Sequence, residues 1–401
     1  MRLQSKGSIR LPYQKFLFIL GIILVYTALI VWLDYLQGPY YWDEKIFWET
    51  SLTFSDRLFP TLNELRDYRE LSTPLPFIIF GALEYLFDQG IFLGRLLNLL
   101  LSVSMVFIIG WPTQQKGGRA LLCLLGLFLC PYYLFLSGRL YTEMIACFWV
   151  LLGFVGYTRR RYWLSGLAFV LAIASRQYML AFPVAITIYE LSLAALNSLR
   201  NRQLQFAPVQ KWLAPLIASL SIFGWFYLFQ GLTPETALDV RPAPEIQKTA
   251  WAIAPGGALN FLGFVTLYMV IPELFLLQPV AKLKALRQKL KVPSKVWIIA
   301  AVLLFYFLFF PPLSDAAGNL KKVANALPYD ALRLLLFYGL ALVACLRFSR
   351  PNLLSILVFI NSFIMVKAFP WDRYILPLVV VFWYIKANGL EEKFSFPKSE
   401  E

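Results

Sequence analysis

Residues 16–33 read FLFILGIILVYTALIVWL, an apolar run without a charged side chain. A bilayer core about 30 Å thick is crossed by a helix of about 20 such residues, so this run predicts a membrane-spanning helix. Basic residues precede it, as in a secretory signal peptide. However, the run is about twice as long as a typical signal-peptide core, and no small-residue cleavage site follows it. We therefore expect a retained first span with the N-terminus in the cytoplasm.

The whole chain shares this apolar character. Apolar residues make up 59% of the 401 residues, charged residues only 15%, and the mean hydropathy is +0.63. Soluble proteins average about 25% charged residues. Because backbone exposed to lipid must satisfy its own hydrogen bonds, repeated apolar runs predict an all-α polytopic helical bundle.

We predict about twelve transmembrane helices in a single integral-membrane domain over residues 1–401. They lie near 16–34, 89–111, 119–136, 143–158, 162–175, 178–196, 212–230, 255–280, 296–311, 328–346, 352–368 and 373–387. A long extracytoplasmic first loop covers 35–88, a core bundle 89–230 and a C-terminal bundle 231–401. Within the loop, leucines at helical spacing in 56–71 predict a helix lying along the membrane interface.

The distribution of charge supports this topology. The formal net charge is +14, and most of the 37 lysines and arginines fall in the segments that the span order assigns to the cytoplasm. This is the positive-inside pattern of multi-pass membrane proteins. The basic residues are spread over several loops and not gathered on one face, so we expect no nucleic-acid partner.

The residue types also limit the chemistry. Histidine is absent, the four cysteines have no CxxC spacing, and neither a P-loop nor a GxGxxG sequence occurs. These features predict no zinc site, disulfide framework or nucleotide site. Without histidine, a general base would have to be a carboxylate.

The clusters of polar residues fall on the predicted extracytoplasmic side. That side holds YYWDEKIFWE (40–49), RLYTE (139–143), SRQY (175–178), PPLSDAAGNLKK (311–322) and WDRY (371–374). The predicted cytoplasmic loops are short and basic. A polar mouth on one side of a helical bundle predicts a site there.

Asp43 and Glu44 are adjacent acids among aromatic residues. Side chains of adjacent helical residues diverge by about 100°, so the two carboxylates should not share one proton. An ordinary solvated acid pair in an interfacial aromatic belt is the alternative to a catalytic base walled by rings.

Three arginines join these acids on the same side. Arg139 and Glu143 have i, i+4 spacing, which fits either a structural ion pair or a functional site at membrane depth. Arg176 and Arg373 each lie in a short predicted loop with apolar residues on both sides. An arginine in such a place either extends its side chain to the interface or binds an anion. Their convergence with the acids suggests a bound lipid-linked phosphate beside a carboxylate.

Five motifs occur in the order typical of a known family. They are YYWDEKIF, RELSTPLPFIIFG, GRLLNLLLS, CPYYLFLSGRLYTE with WLSGLAFVLAIASRQYMLAF, and DRYILP. In these the chain resembles the GT-C superfamily of polytopic glycosyltransferases, most of all the dolichyl-phosphate-glucose α-1,2-glucosyltransferase family. The resemblance covers residues 1–190 and 365–385. It departs from the family at Glu143, where aspartate is usual, and in residues 311–319, where the family's histidine is absent.

The resemblance implies transfer of a hexose from a polyprenyl-phosphate carrier to an acceptor hydroxyl, with inversion. Asp43 would be the general base, a choice over Glu44 that rests on the resemblance, and Glu44 and Glu143 would support it. The donor phosphate would bind Arg139, Arg176 and Arg373. The residues proposed to contact substrate are Tyr41, Trp42, Thr73, Tyr141, Gln177, Asp372 and Tyr374.

The expected partners are a polyprenyl-phosphate-linked sugar, a glycan or protein acceptor, and membrane lipids. No cofactor is expected: carboxylates alone can hold a divalent cation, but arginines already offset the phosphate charge. A bacterial plasma membrane is the expected location, with the endoplasmic reticulum as alternative. The competing function is a transporter or flippase of a lipid-linked or anionic substrate, for which Glu273 beside Pro272 is the best support. A third alternative is an assembly subunit.

Overall fold

In the computed structural model, the described residues are 10–201, 208–241, 245–249, 251–278 and 294–396. Their secondary structure is helical. In the first half of the chain the helices are α1 (Arg10–Thr27, continued by a π turn over Ala28–Trp32), α2 (Glu44–Leu52), α3 (Leu62–Arg66), α4 (Leu75–Phe87), α5 (Ile91–Gly110), α6 (Arg119–Phe128), α7 (Pro131–Ser137), α8 (Thr142–Thr158), α9 (Tyr162–Ser175) and α10 (Ala181–Asn201, preceded by a 3-10 turn over Gln177–Leu180).

The second half continues in the same way. Its helices are α11 (Val209–Phe229), α12 (Glu235–Val240), α13 (Glu245–Lys248), α14 (Gly256–Val265, continued by a π turn over Thr266–Val270), α15 (Ile271–Leu277), α16 (Ser294–Phe309), α17 (Asn319–Asn325), α18 (Asp330–Arg347), α19 (Leu353–Ile364) and α20 (Leu376–Ala387). Pairing between extended segments in the described residues is limited to two isolated bridges, Ala317 with Trp371 and Asn352 with Ser395.

The helices have the lengths and composition of a helical membrane protein. Among the described residues, five are long and apolar enough to cross a membrane, or six if the bent pair α6–α7 is one span. The five are Leu11–Trp32, Ile91–Gly110, Gln177–Arg200, Val209–Phe229 and Gly256–Leu277. The other predicted spans coincide with shorter or less apolar helices, so the twelve-span topology stays a prediction. Most of the predicted basic loop at 282–295 lies outside the described residues.

The helices are irregular near two prolines, Pro131 and Pro272. The predicted span 119–136 is bent by 77° between α6 and α7. Pro131 begins α7, and proline cannot continue the preceding helix because it lacks an N–H and its ring collides with the previous turn. The π turn after α14 ends at Val270, two residues before Pro272 in the first turn of α15.

The predicted interfacial helix of 56–71 is shorter than expected. Only α3 forms there, between a capping box of Thr61 with Glu64 and an extended Asp67. Residues 67–74 then run without helix to α4, which has Pro76 in its first turn. This non-helical segment carries Glu70 to the site described below.

Helix α20 lies at the centre of the bundle. All of its residues from Leu376 to Ala387 are buried, and it packs against α5, α6 and α8. The hairpin of α8 and α9 packs beside it, and α11 covers α9. As a result, the start of α8, the end of α9 and the turn before α20 meet at one end of the bundle.

Candidate functional site

Two arginines form ion pairs with one carboxylate, Glu143, where the ends of three helices meet. Glu143, in the first turn of α8, is fully buried. Its Oε1 lies 2.9 Å from Nη2 of Arg176, at the end of α9, and 3.2 Å from Nε of Arg373, just before α20. Arg176 also donates from Nε to the Thr142 hydroxyl at 2.7 Å. One buried carboxylate therefore fixes both guanidinium groups.

Asp43 lies on the other side of Arg373. Nη2 of Arg373 donates to Oδ2 of Asp43 at 3.0 Å, and the Asp43 side chain is 24% exposed. The Asp43 N–H donates to the Tyr141 hydroxyl at 3.3 Å, and that hydroxyl donates to the Tyr41 carbonyl at 3.1 Å. Tyr141 thus holds the Asp43 backbone while the carboxylate stays open to solvent.

Glu44 is directed away from Asp43 and is fully buried. Its carboxylate accepts hydrogen bonds from Nε and Nη2 of Arg95 at 3.0 and 2.9 Å. The backbone N–H groups of Tyr41 and Leu140 also donate to it, at 2.9 and 2.7 Å. Glu44 therefore connects the segment before α2 to α5 and to the start of the RLYTE motif.

Arg139 is held away from Arg176 and Arg373. Its guanidinium lies 4.4 to 4.9 Å from the ring centroids of Tyr35, Tyr41 and Phe135, and 3.7 Å from the Glu44 carboxylate. Glu143 instead forms ion pairs with Arg176 and Arg373. The i, i+4 spacing brings side chains together only on a helix, and α8 begins after Arg139, at Thr142.

A polar cavity of about 300 Å³ opens beside Asp43 and the two fixed arginines. Five of the predicted site residues line it: Asp43, Arg176, Gln177, Arg373 and Tyr374. Its other walls are Phe47, Glu70, Leu71, Ser72, Tyr178, Arg241, Gln247, Ala368, Phe369 and Trp371.

Other predicted site residues do not line this cavity. Glu44, Arg139, Tyr141 and Glu143 have the contacts given above. The Thr73 hydroxyl is buried and donates to the Ile173 carbonyl at 2.7 Å.

Tyr41 and Trp42 pack on Phe135, with ring centroids 5.2 and 5.3 Å away. Trp42 has a φ of 49°, which is unusual for a bulky side chain, and its ring lies 6.2 Å from that of Trp371 in the cavity wall. This backbone conformation comes directly before Asp43.

Asp372 is also buried, and its hydrogen bonds hold the turn that carries Arg373. Its Oδ2 accepts from the Tyr268 hydroxyl at 2.8 Å and from the Asn319 N–H at 2.7 Å. Gly318 has a φ of 110°, and a Cβ there would lie 1.7 Å from Asp372 Oδ1. Burial raises the pKa of Asp372, although these donors oppose the shift. The carboxylate thus joins α14, α17 and the Arg373 turn.

Three of the cavity-wall residues that sequence reasoning missed have charged or cation–π contacts at the site: Glu70, Arg241 and Trp371. The Trp371 ring lies 3.7 Å below the Arg373 guanidinium. Glu70 pairs with Arg241, and burial raises the pKa of Glu70. Glu70 stands in the RELSTP motif, which was a usable signal, but Arg241 lies in 231–254, where no motif was recognised.

An apolar cavity of about 290 Å³ adjoins the polar one. The two share Leu71, Gln177, Tyr178, Gln247 and Ala368. Side chains found only in the apolar cavity come mainly from α11, α13, the end of α19 and the loop after α11: Leu180, Ile222, Phe226, Leu232, Thr233, Ile246, Phe363, Ile364 and Lys367. A polar head group and an apolar chain on one molecule would fit this pair of cavities.

The site offers two fixed guanidinium groups, a partly exposed carboxylate and an apolar extension. In the part of the chain that the structure describes, no group of three or more His, Cys, Asp and Glu side chains could hold a metal ion. The chain significantly matches no protein-family model, no curated protein and no solved structure.

Proposed function

We propose that this protein is a membrane glycosyltransferase that moves a hexose, such as glucose or mannose, from a polyprenyl-phosphate carrier to an acceptor hydroxyl. The joined polar and apolar cavities carry the proposal. A lipid phosphate has the matching chemistry, since its charged head needs arginines and its chain needs apolar walls. The acceptor would be a lipid-linked glycan, another glycan or a protein.

Arg176 and Arg373 would bind the donor phosphate. Both guanidinium groups are held by Glu143, so little side-chain entropy is lost when an anion binds. Guanidinium groups also make paired hydrogen bonds to phosphate oxygens. They would stabilise the negative charge that develops on the phosphate as it leaves.

Asp43 would act as the general base. The acceptor oxygen forms a bond to the anomeric carbon as its proton passes to Asp43. The bond from that carbon to the phosphate oxygen breaks, and its electron pair leaves with the lipid phosphate. Attack from the face opposite the leaving group inverts the configuration. Proton removal of this kind typically contributes about 10² to 10⁴ in rate.

We further propose twelve crossings with the N-terminus in the cytoplasm and the site outside, in a bacterial plasma membrane. Each predicted span overlaps a described helix. Twelve crossings in this order would put Asp43, Arg176 and Arg373 on one side. The bias of basic residues toward the opposite loops supports this orientation.

The transporter alternative has less support. Glu273, the residue that favoured it, lies 2.7 Å from Arg347 and 2.5 Å from Lys386. Glu391 joins the same cluster through both basic residues. A carboxylate with two basic partners at the ends of α18 and α20 has a structural explanation that needs no transported ion.

The deciding experiment incubates purified protein with radiolabelled polyprenyl-phosphate hexoses and a mixture of glycan acceptors. The proposal predicts that label leaves the lipid and appears in the acceptor with inverted configuration. Transmembrane movement of intact donor in vesicles, without release of label, would instead establish the transporter function. Comparing the rates for donors that carry different hexoses identifies the sugar that is transferred.

A further inference from the structure

Glu70 and Arg241 form an ion pair in the wall of the polar cavity. Their side chains are 6% and 15% exposed, respectively. Glu70 belongs to the non-helical segment before α4, whereas Arg241 caps the end of α12 through its N–H, which donates to the Ala237 carbonyl at 2.9 Å. The pair therefore joins distant parts of the chain, and neither residue has a role in the reaction proposed above.

This ion pair is not the sole contact between the two segments. Asp67 accepts two hydrogen bonds from Thr236 at the start of α12, from its N–H at 3.0 Å and from its hydroxyl at 2.6 Å. This contact holds α12 against the first outer loop independently of the cavity. The Glu70 and Arg241 side chains are consequently able to change partners without separating the segments.

The electrostatics favour such an exchange. Removing an ion pair from water has a desolvation cost that offsets much of the attraction between the charges. A phosphate oxygen pair presents the same bidentate geometry to a guanidinium as a carboxylate does. A phosphate in this cavity can therefore bind Arg241 about as well as Glu70 does. Arg176 and Arg373 line the same cavity and also attract the anion.

We propose that Arg241 is a third guanidinium ligand for the phosphate of the lipid substrate, and that Glu70 competes with that phosphate for it. The Glu70 carboxylate holds Arg241 and is displaced when the phosphate enters. This inference rests on the proposed function, because it takes the isoprenyl phosphate as the ligand. It assigns a binding role to Arg241, at the end of α12.

The test measures dissociation constants of purified protein for geranyl phosphate and for geraniol, its uncharged counterpart. Glu70→Gln removes the competing charge but keeps the size of the side chain, so geranyl phosphate should bind about tenfold more tightly. Arg241→Gln should weaken it about tenfold, and the double variant should resemble Arg241→Gln. Binding of geraniol should not change.

Asp330 and Arg333 provide matched controls. They form an ion pair in α18, with Oδ1 of Asp330 2.9 Å from Nη1 of Arg333, and neither lines the cavity. Asp330→Asn and Arg333→Gln make the same changes of net charge and should leave both dissociation constants unaltered. Equal effects in the control pair would attribute the result to net charge and overturn the inference.

Three further results would overturn it. Weaker or unchanged binding to Glu70→Gln would show that the pair is structural, even if Arg241→Gln fails to fold. Unchanged binding to folded Arg241→Gln would remove it as a ligand. If the unmodified protein does not prefer geranyl phosphate to geraniol, the proposed function fails as well. A clear preference without tightening in Glu70→Gln overturns this inference alone.

Discussion

Nη2 of Arg373 lies 3.0 Å from Oδ2 of Asp43, although 330 positions separate the two residues in the chain. The pair places the proposed base against a proposed phosphate ligand. A phosphate that binds Arg373 competes with Asp43 for the same guanidinium. We therefore expect donor binding to release the Asp43 carboxylate, so that it accepts the acceptor's proton only when the donor is present.

Asp43→Asn should lower the rate of sugar transfer by about 10² to 10⁴, because the amide cannot take up the acceptor's proton. Donor binding should be retained or tightened, since Arg176 and Arg373 keep Glu143 as their partner and the charge that competes with the phosphate for Arg373 is removed. Rates and donor dissociation constants of the purified variant check this. Asp56→Asn, at an exposed position in the same loop, is the control. Near-normal turnover in Asp43→Asn would exclude it as the base.

Glu44→Gln should destabilise the fold by about 3–5 kcal/mol, because it leaves the buried Arg95 guanidinium without its countercharge. The midpoint of thermal unfolding in detergent measures the loss. Glu49→Gln is the matched control: its pair with Lys45 is 50% and 67% exposed, so its loss should stay below about 1 kcal/mol. Similar midpoints for both variants would contradict the structural role of Glu44.

Arg139 and Arg176 should behave differently when each is changed to glutamine. Arg176→Gln should raise the KM for donor about tenfold or more, since a charged hydrogen-bond donor is lost from the cavity wall. Arg139→Gln should mainly lower the unfolding midpoint, because its guanidinium packs among Tyr35, Tyr41 and Phe135. Equal increases in donor KM would place Arg139 at the phosphate as well.

Gly318→Ala should destabilise the protein by about 1–3 kcal/mol, because φ is 110° there and a Cβ collides with the Asp372 carboxylate. Displacing Asp372 should also disturb Arg373 and raise the donor KM. Gly339→Ala is the control. Gly339 lies inside α18 with open space around it, so this substitution should stabilise the protein by about 0.5–1 kcal/mol. Unfolding midpoints test both substitutions, and an unaltered midpoint in Gly318→Ala would refute the steric argument.

Binding of geranyl phosphate should depend on pH through Glu70. Burial raises the pKa of Glu70, whose charged neighbours are Arg241, Arg176 and Asp43. As the pH falls through that raised pKa, Glu70 gains a proton and releases Arg241, so binding of the phosphate should tighten. The phosphate itself gains a proton at about pH 6, which reduces its negative charge.

The difference between the unmodified protein and Glu70→Gln cancels the ligand's own protonation. We expect the advantage of Glu70→Gln to shrink as pH is lowered from about 8 to about 5. Dissociation constants measured across this range provide the check. A difference that does not change with pH would show that Glu70 keeps one charge state throughout.

The sequence by itself determined the helical class and the candidate residues. Long apolar runs such as 16–33 predict helices from the local sequence alone, because a helix satisfies its own backbone hydrogen bonds. Asp43, Arg176 and Arg373 stood out because charged side chains are rare in such surroundings. The break at Pro131 was readable in principle, since the effect of proline is also local.

The tertiary structure alone decided the partners of these residues. Helical spacing suggested that Arg139 pairs with Glu143, but Glu143 contacts Arg176 and Arg373, and Arg139 faces Glu44. Which of two adjacent acids faces the cavity depends on the packing of α5 and α20 around them, not on local spacing. Arg241 joined the cavity for the same reason: its partner lies far away in the chain, where no local pattern reports it.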